Sequence, residues 1–159
     1  MTTLHDLSAT PAVAAQLAGF IDRYTVELAG QIAACRAHLH LRVPSGYELV
    51  YDNYNALVFA YAPTPKPGRA ELSIAAYPRW ITLFFLNGAT LPDPEGLLEG
   101  AGKQVRGIRL RGPEDLDMPG IGRLIGLVLA SQAQAFAAAP PLQTVVKSIS
   151  SRQRCRRPA

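Results

Sequence analysis

Residues 70–86 read AELSIAAYPRWITLFFL, in which two runs of β-forming residues flank the dipeptide Pro78-Arg79. A hairpin closed by this two-residue connection pairs Tyr77 with Trp80. The pairs that follow are Ala76 with Ile81, Ile74 with Leu83, and Leu72 with Phe85. These six apolar side chains share one face, whereas the other face mixes polar and aromatic residues. The apolar face has to be covered, so we predict that helices pack against it.

Two helices are predicted before the first strand. Thr10-Pro11 is typical of a helix start, with the threonine as N-cap and the proline at the first helical position. Apolar residues then recur at helical spacing, and Gly19 indicates a break. A second helical pattern ends before Pro44. We therefore expect helices over residues 11–19 and 25–41.

The remaining elements complete an α+β fold. Further strands are predicted at residues 47–51, 56–61, 103–111 and 144–149. Asp93 is expected to cap a short helix through Leu97-Leu98, and Asp117 to cap a last helix. Together these elements predict a single α+β domain, with an antiparallel sheet of about five to six strands and helices packed on one face.

Charge is distributed unevenly along the 159 residues. Five of the 16 basic residues are Lys147, Arg152, Arg154, Arg156 and Arg157, and no acidic residue follows Asp117. Residues 1–146 therefore carry 11 basic and 12 acidic side chains and are nearly neutral. We expect a flexible N-terminus over 1–9, a domain over 10–150, and a separable basic tail over 151–159. Such a tail predicts weak, salt-sensitive and non-specific contact with nucleic acid.

The sequence favours a cytoplasmic protein. Residues 1–10 lack the basic and apolar regions of a signal peptide, and no apolar run approaches the roughly 18 residues of a spanning helix, so no membrane contact is expected. The two cysteines, Cys35 and Cys155, do not form a disulfide framework.

Three stretches carry a family resemblance. They are YELVYDNYNAL at residues 47–57, the hairpin tip YPRW at 77–80, and LPDPEGLLEGAGK at 91–103. These stretches resemble the YdhG-like domain family, and the resemblance spans residues 20–130. It implies a small α+β domain of bacterial origin. Some relatives are described as frataxin-like iron chaperones, so the resemblance also implies iron delivery as an alternative function.

Several residue groups resemble parts of phosphate-binding, metal-binding or catalytic sites but lack the structural context that such sites need. The glycines of 100-GAGK-103 precede a predicted strand, whereas a phosphate loop needs them at the start of a helix. Cys35, His38 and His40 are too few for a closed zinc site. Asp93 and the acids after it suit helix capping. We therefore predict no catalytic residue, no metal ligand and no cofactor.

The strongest candidate site is an aromatic and polar group at the hairpin ends. Flat aromatic rings provide apolar contact area, and Asn, Arg and Lys orient a ligand through hydrogen bonds and charge. The predicted ligand-binding residues are Tyr51, Asn53, Asn55, Tyr77, Arg79, Trp80, Lys103 and Arg106. Nearby cations favour an anionic or carbonyl-bearing ligand. The alternative interpretation is cross-strand aromatic packing with turn-forming asparagines.

Three functions follow, in order of preference. The first is a non-catalytic module that binds a small molecule or a protein through the mixed face of the sheet. The second is a frataxin-like iron chaperone, by resemblance. The third is an enzyme of unrecognised chemistry. The oligomeric state is left open by the sequence.

Overall fold

The computed structural model describes residues 8–66 and 68–158. Most of the flexible N-terminus expected over residues 1–9 lies outside the described residues. The helices are α1 (Pro11–Asp22), α2 (Val26–Arg42), α3 (Pro119–Ser131) and α4 (Ala133–Ala137). The strands are β1 (Tyr47–Asp52), β2 (Leu57–Ala62), β3 (Leu72–Ala76), β4 (Ile81–Phe85), β5 (Arg106–Leu110) and β6 (Gln143–Ile149). Short 3-10 helices cover Gly88–Thr90 and Pro113–Asp117.

The strands form one six-stranded sheet in the order β5-β4-β3-β2-β1-β6. Neighbours pair antiparallel from β5 to β1, whereas β6 pairs parallel to β1. The expected α+β class is confirmed, and the sheet is mixed rather than purely antiparallel. The parallel pair arises because α3 and α4 carry the chain from β5 across to the far edge, which is the kind of long crossover that parallel strands require.

The β3–β4 hairpin has the register predicted from its sequence. Ala76 pairs with Ile81, Ile74 with Leu83, and Leu72 with Phe85. The Tyr77 N–H donates to the Trp80 carbonyl at 2.9 Å, which closes the hairpin. Leu83 and Phe85 are fully buried. A two-residue connection with an apolar face leaves no competing register, because a slip of one residue would expose that face.

Some element boundaries differ from the sequence-based expectation. Helix α1 continues through Gly19 to Asp22, where the short link to α2 begins. The expected short helix at Leu97-Leu98 is wrong: Asp93 instead accepts hydrogen bonds from both backbone N–H groups within a turn. Asp117 does not cap α3, because its carboxylate lies 3.4 Å from Nδ1 of His38. Thr10 and Thr25 cap α1 and α2.

Alternation along the strands gives the sheet two faces. The core face bears the buried apolar side chains of β2, β3 and β4, and these belong to one hydrophobic cluster with side chains of α1, α2 and α3. The opposite, mixed face bears a smaller cluster around Leu49, Ala60 and Ala62. That all helices pack on one face stays a prediction. None of the helices within residues 8–66 and 68–158 is long and apolar enough to cross a membrane.

A carboxylate lies in the middle of the core. Glu48 of β1 is fully buried and pairs in register with Tyr61 of β2 and Thr144 of β6. Arg36 of α2 donates to both of its oxygens, from Nε at 3.0 Å and from Nη2 at 2.6 Å. His40, one turn further along α2, donates from Nε2 at 2.8 Å. The Tyr61 and Thr144 hydroxyls donate at 2.6 and 2.8 Å.

These contacts determine the ionisation of the glutamate. Burial alone would raise its pKa, but the hydrogen bond from His40 and the charge and hydrogen bonds of Arg36 outweigh it. The pKa of Glu48 is therefore held well below its ordinary value of 4.5. The same carboxylate, together with burial, raises the pKa of the Tyr61 hydroxyl well above its usual range, so this hydroxyl stays a donor.

The C-terminal segment is part of the fold, so the expectation of a separable tail needs correction. Arg156 is only 2% exposed and pairs with Asp52, whose carboxylate points to the core side of β1. Nη2 of Arg156 also donates to the Asn53 carbonyl at 2.6 Å. Arg157 donates to the Tyr24 and Asp22 carbonyls. A buried carboxylate needs a positive partner, and Arg156, which was expected to lie in solvent, supplies it together with Arg23.

The first prediction concerns pH. Above pH 4.5, Glu48 is ionised in both the folded and the unfolded chain, and its contribution to stability is complete. As the pH falls below 4.5, Glu48 becomes protonated in the unfolded chain but stays ionised in the folded protein. The free energy of unfolding therefore decreases. Thr144→Val removes one donor and should cost about 1.5–3 kcal/mol at neutral pH, and less in acid. Urea denaturation at a series of pH values measures both effects.

The control for this prediction is Glu27→Gln, which removes a solvent-exposed acid from the first turn of α2. It should leave the acid-dependent loss of stability unchanged. A Thr144→Val protein with the pH profile of the parent would show that the glutamate does not depend on this hydrogen bond.

The second prediction concerns the C-terminal segment. Arg156→Ala removes one of the two cations that face Asp52 and should destabilise the fold by about 3 kcal/mol, at the lower end for a broken buried pair because Arg23 remains. Deletion of residues 152–159 should lower the melting temperature as well. Arg152→Ala, at an exposed position of the same segment, should stay within about 0.5 kcal/mol of the parent. If the parent, Arg156→Ala and the deletion had equal melting temperatures, the claim that the C-terminal segment is part of the fold would be wrong.

Candidate functional site

The middle of the mixed face is built from small side chains. Val58 and Ala60 of β2 lie beside Ala75 and Ser73 of β3, and Ser73 pairs in turn with Phe84 of β4. Phe84 lies opposite Gly107 of β5, where a Cβ atom would come within 3.0 Å of the phenyl ring. Tyr51 and residues of two loops stand around this area, so the sheet surface is concave at its centre.

A cavity of about 390 Å³ occupies this concave area. Its floor is formed by Val58, Ala60 and Ser73, and Tyr51 of β1 closes one side. The rim consists of residues from two loops, Gly68 and Ala70 before β3, and Leu86, Asn87, Gln104 and Val105 between β4 and β5. We call this the mixed-face cavity.

The polar groups of the mixed-face cavity carry no formal charge. They are the hydroxyls of Tyr51 and Ser73 and the side-chain amides of Asn87 and Gln104. Each amide offers both donors and acceptors, and each hydroxyl offers one donor. The remaining lining residues are aliphatic or glycine. This combination suits a compact ligand that has an apolar body and a few carbonyl, amide or hydroxyl groups.

Two loops are held in place around the cavity. Nη1 of Arg106 donates to the carbonyls of Gly102 and Val105, so its side chain braces the segment that carries Gln104. Nζ of Lys147 in β6 donates to the Pro65 carbonyl, which links the loop before β3 to the sheet. Gly68 has a φ of 79°, a left-handed value that suits glycine at this turn. The β4–β5 loop is therefore held by the first residue of β5, and the loop before β3 by a residue of β6.

The predicted site residues do not all lie together. Tyr51 lines the mixed-face cavity. Tyr77 and Trp80 stack with ring centroids 5.2 Å apart at the tip of the β3–β4 hairpin. The guanidinium of Arg109 lies 3.9 Å from the centroid of the Trp80 ring, a cation–π contact that the sequence did not indicate.

The turn residues and the predicted cations do not join the cavity. Asn53 and Asn55 lie exposed in the β1–β2 turn, at the same end of the sheet as the β3–β4 tip. Arg79 borders a different depression, of about 240 Å³, beside the start of α2. Arg106 pairs with Phe85 and so lies at the opposite end of the sheet from these turns, and Lys103 is an exposed residue of the preceding loop. The two turns thus share one end of the sheet, whereas Lys103 and Arg106 lie away from them, so these cations do not stand at the rim of a concavity lined by both turns.

Sequence reasoning missed three of the four polar residues in the cavity. Ser73 was assigned to the mixed face by alternation but was not singled out as a contact residue. Asn87 and Gln104 lie in loops, and only the three-dimensional path of those loops brings them to Tyr51. The available signal was the row of small residues Ala60, Ser73 and Ala75 on one face, which indicates a depression in the sheet.

The residues considered for metal binding are engaged separately. Cys35 is buried, and burial raises the pKa of its thiol to about 12. Nδ1 of His38 faces Asp117, and Nε2 of His40 donates to Glu48. Within the part of the chain that the structure describes, no group of three His, Cys, Asp or Glu side chains is arranged to hold a metal ion.

Comparisons of the chain with protein-family models, with curated proteins and with solved structures find no match.

Proposed function

We propose that this protein is a non-catalytic binding domain whose mixed-face cavity takes a small uncharged ligand. The observation that carries the proposal is the composition of the cavity, with aliphatic and glycine surface interrupted by Tyr51, Ser73, Asn87 and Gln104. Ligand sites in proteins commonly combine a mainly apolar wall with a few polar groups that fix the orientation.

The dimensions of the cavity agree with a small molecule rather than a long peptide. Its volume of about 390 Å³ falls in the lower part of the range of roughly 300–1,000 Å³ that is usual for such sites. Two loops border it, so a ligand would contact both the rigid sheet and less regular segments. The proposal also includes the YdhG-like resemblance and a cytoplasmic location. A reducing cytoplasm suits the free thiols of Cys35 and Cys155.

The chemistry of the lining favours binding over catalysis. General acid–base work needs a group such as His, Glu or Lys within hydrogen-bond reach of the reacting atom, and covalent catalysis needs a nucleophile activated by a base. The ten described residues that line the cavity supply hydroxyls and amides only. The sequence-based expectation at this face was an anionic ligand. We propose an uncharged ligand instead, because the cavity lining carries no charge and the Arg106 side chain braces its own loop.

The third prediction tests this site with a library of uncharged aromatic and amide fragments. Binding is followed by amide chemical shifts of the isotope-labelled protein. We expect perturbations to cluster at Val58, Ala60, Ser73 and Gln104, because these residues border the cavity from two strands and one loop. Gln104→Ala should weaken the binding of such fragments by about tenfold, the effect of losing one or two neutral hydrogen bonds.

Two matched variants serve as controls. Gln134→Ala changes the same residue type at an exposed position on α4 and should leave binding unchanged. Tyr51→Ala should weaken binding, whereas Tyr54→Ala, at an exposed tyrosine of the adjacent turn, should not. Perturbations that cluster on the Tyr77–Trp80 stack instead would move the site to the hairpin tip and contradict the proposal.

A further inference from the structure

The docked C-terminal segment forms a second cavity, which is lined by arginines. It has a volume of about 480 Å³ and is bordered by Asp22, Arg23, Gln153, Arg154, Cys155, Arg156 and Arg157. We call it the arginine cavity. It shares no lining residue with the mixed-face cavity. An inference about it therefore stands apart from the proposed function.

Backbone carbonyls hold much of the positive charge in place. Arg157 donates from Nε to the Tyr24 carbonyl at 3.1 Å and from Nη2 to the Asp22 carbonyl at 2.8 Å. Arg156 donates to the carbonyls of Asn53 and Tyr54 as well as to Asp52. Carbonyl oxygens orient a guanidinium without cancelling its charge, so these contacts fix the arginines and leave them positive.

The acids near the arginine cavity do not balance its arginines. Asp52 is shared between Nη2 of Arg23, at 2.7 Å, and Nη2 of Arg156, at 3.1 Å. Asp22 is the one acid among the described residues that border the cavity. Among the described residues, four guanidinium groups thus stand against two carboxylates, and an anion would offset the excess positive charge.

One buried hydrogen-bond donor of the cluster is left without a partner in the part of the chain that the structure describes. Nε of Arg156 has no acceptor among the described residues, and the Arg156 side chain is almost wholly excluded from solvent. Buried N–H groups in proteins nearly always have a partner, so a donor without one indicates a place for an acceptor oxygen. Nη1 of Arg157 and Nε of Arg23 form no hydrogen bond within the described residues of this cluster either.

We propose that the arginine cavity binds a phosphate group, either as inorganic phosphate or as the terminal phosphate of a small phosphomonoester. A guanidinium matches the geometry of phosphate oxygens with two parallel N–H donors, and Arg is the preferred residue for such recognition. A phosphomonoester carries about two negative charges at neutral pH, which equals the excess of arginine over carboxylate here. The aliphatic stems of the arginines line the rest of the cavity and would contact the organic part of the ligand.

The test titrates the full-length chain in chloride buffer of constant ionic strength with three probes. They are inorganic phosphate, adenosine monophosphate, and a single-stranded oligonucleotide without a terminal phosphate. The readout is the chemical shift of the arginine Nε–H signals. We expect saturable shifts of the Arg156 and Arg157 signals with one or both of the first two probes, and the stronger of the two identifies the source of the phosphate. The oligonucleotide should give only salt-sensitive, length-dependent contact.

The informative variant is Arg154→Gln combined with Arg157→Gln, which keeps the buried pair of Arg156 and Asp52. It should weaken phosphate binding by about tenfold or more. The control combines Arg69→Gln in the loop before β3 with Arg123→Gln in α3 and so removes the same charge elsewhere. It should change the affinity for phosphate by less than about twofold. The melting temperature verifies folding, and if the double variant does not fold, the Arg156 Nε–H shift of the parent protein decides by itself.

Three results would overturn the proposal. They are the lack of saturable binding of either phosphate probe, equal weakening by the control variant, and binding of the oligonucleotide alone. The last result would assign the arginines to non-specific contact with a phosphodiester chain. None of these results bears on the mixed-face cavity, because the fragment experiment uses uncharged probes.

Discussion

The fold depends on one carboxylate that lies where an apolar side chain would be expected. Glu48 accepts five hydrogen bonds, from Arg36, His40, Tyr61 and Thr144, and so connects α2, β1, β2 and β6. A buried carboxylate with fewer partners would be costly, whereas a fully satisfied one fixes the position of every group that donates to it. The second acid of this strand face, Asp52, has the same effect on Arg23 and Arg156. The two faces of β1 therefore have different roles. One face carries Glu48 and Asp52, which position their partners in the core, and the other contributes Tyr51 to the mixed-face cavity.

The hairpin could be predicted from the sequence, and the acidic side of β1 could not. In residues 70–86 the apolar set, the alternation and the short connection all indicate the same register. In YELVYD at 47–52, alternation separates Tyr47, Leu49 and Tyr51 from the two acids, so hydropathy alone would turn the acids to solvent. Pairing reverses this assignment, because Glu48 lies opposite Tyr61 and Asp52 opposite Leu57, both on the core face. The compensating arginines are 12 and 104 residues away in sequence, beyond the reach of any local pattern.

The same limit applies to the candidate site. Alternation along paired strands predicted the mixed face and the place of Tyr51 on it, and Tyr51 does line the mixed-face cavity. The sequence did not predict that Asn87 and Gln104 reach the cavity, because the path of the β4–β5 loop depends on contacts between residues far apart in sequence, such as the hydrogen bond from the Ala89 N–H to the Gln104 carbonyl. It also treated the C-terminal arginines as solvated charges. Two of them, Arg156 and Arg157, are instead structural, since the folded domain presents a buried acid and several backbone carbonyls to them.

The most direct test of this account is a double-mutant cycle on the core pair, with Glu48→Leu, Arg36→Met and the two combined. The free energy of unfolding is measured in urea at neutral pH. Each single change should cost about 3–5 kcal/mol, because it leaves one buried charge uncompensated. The double variant should lose clearly less than the sum, by at least about 1 kcal/mol, or should fold where a single variant does not. Additive losses within about 0.5 kcal/mol would contradict the account, since the core would then not depend on this pair.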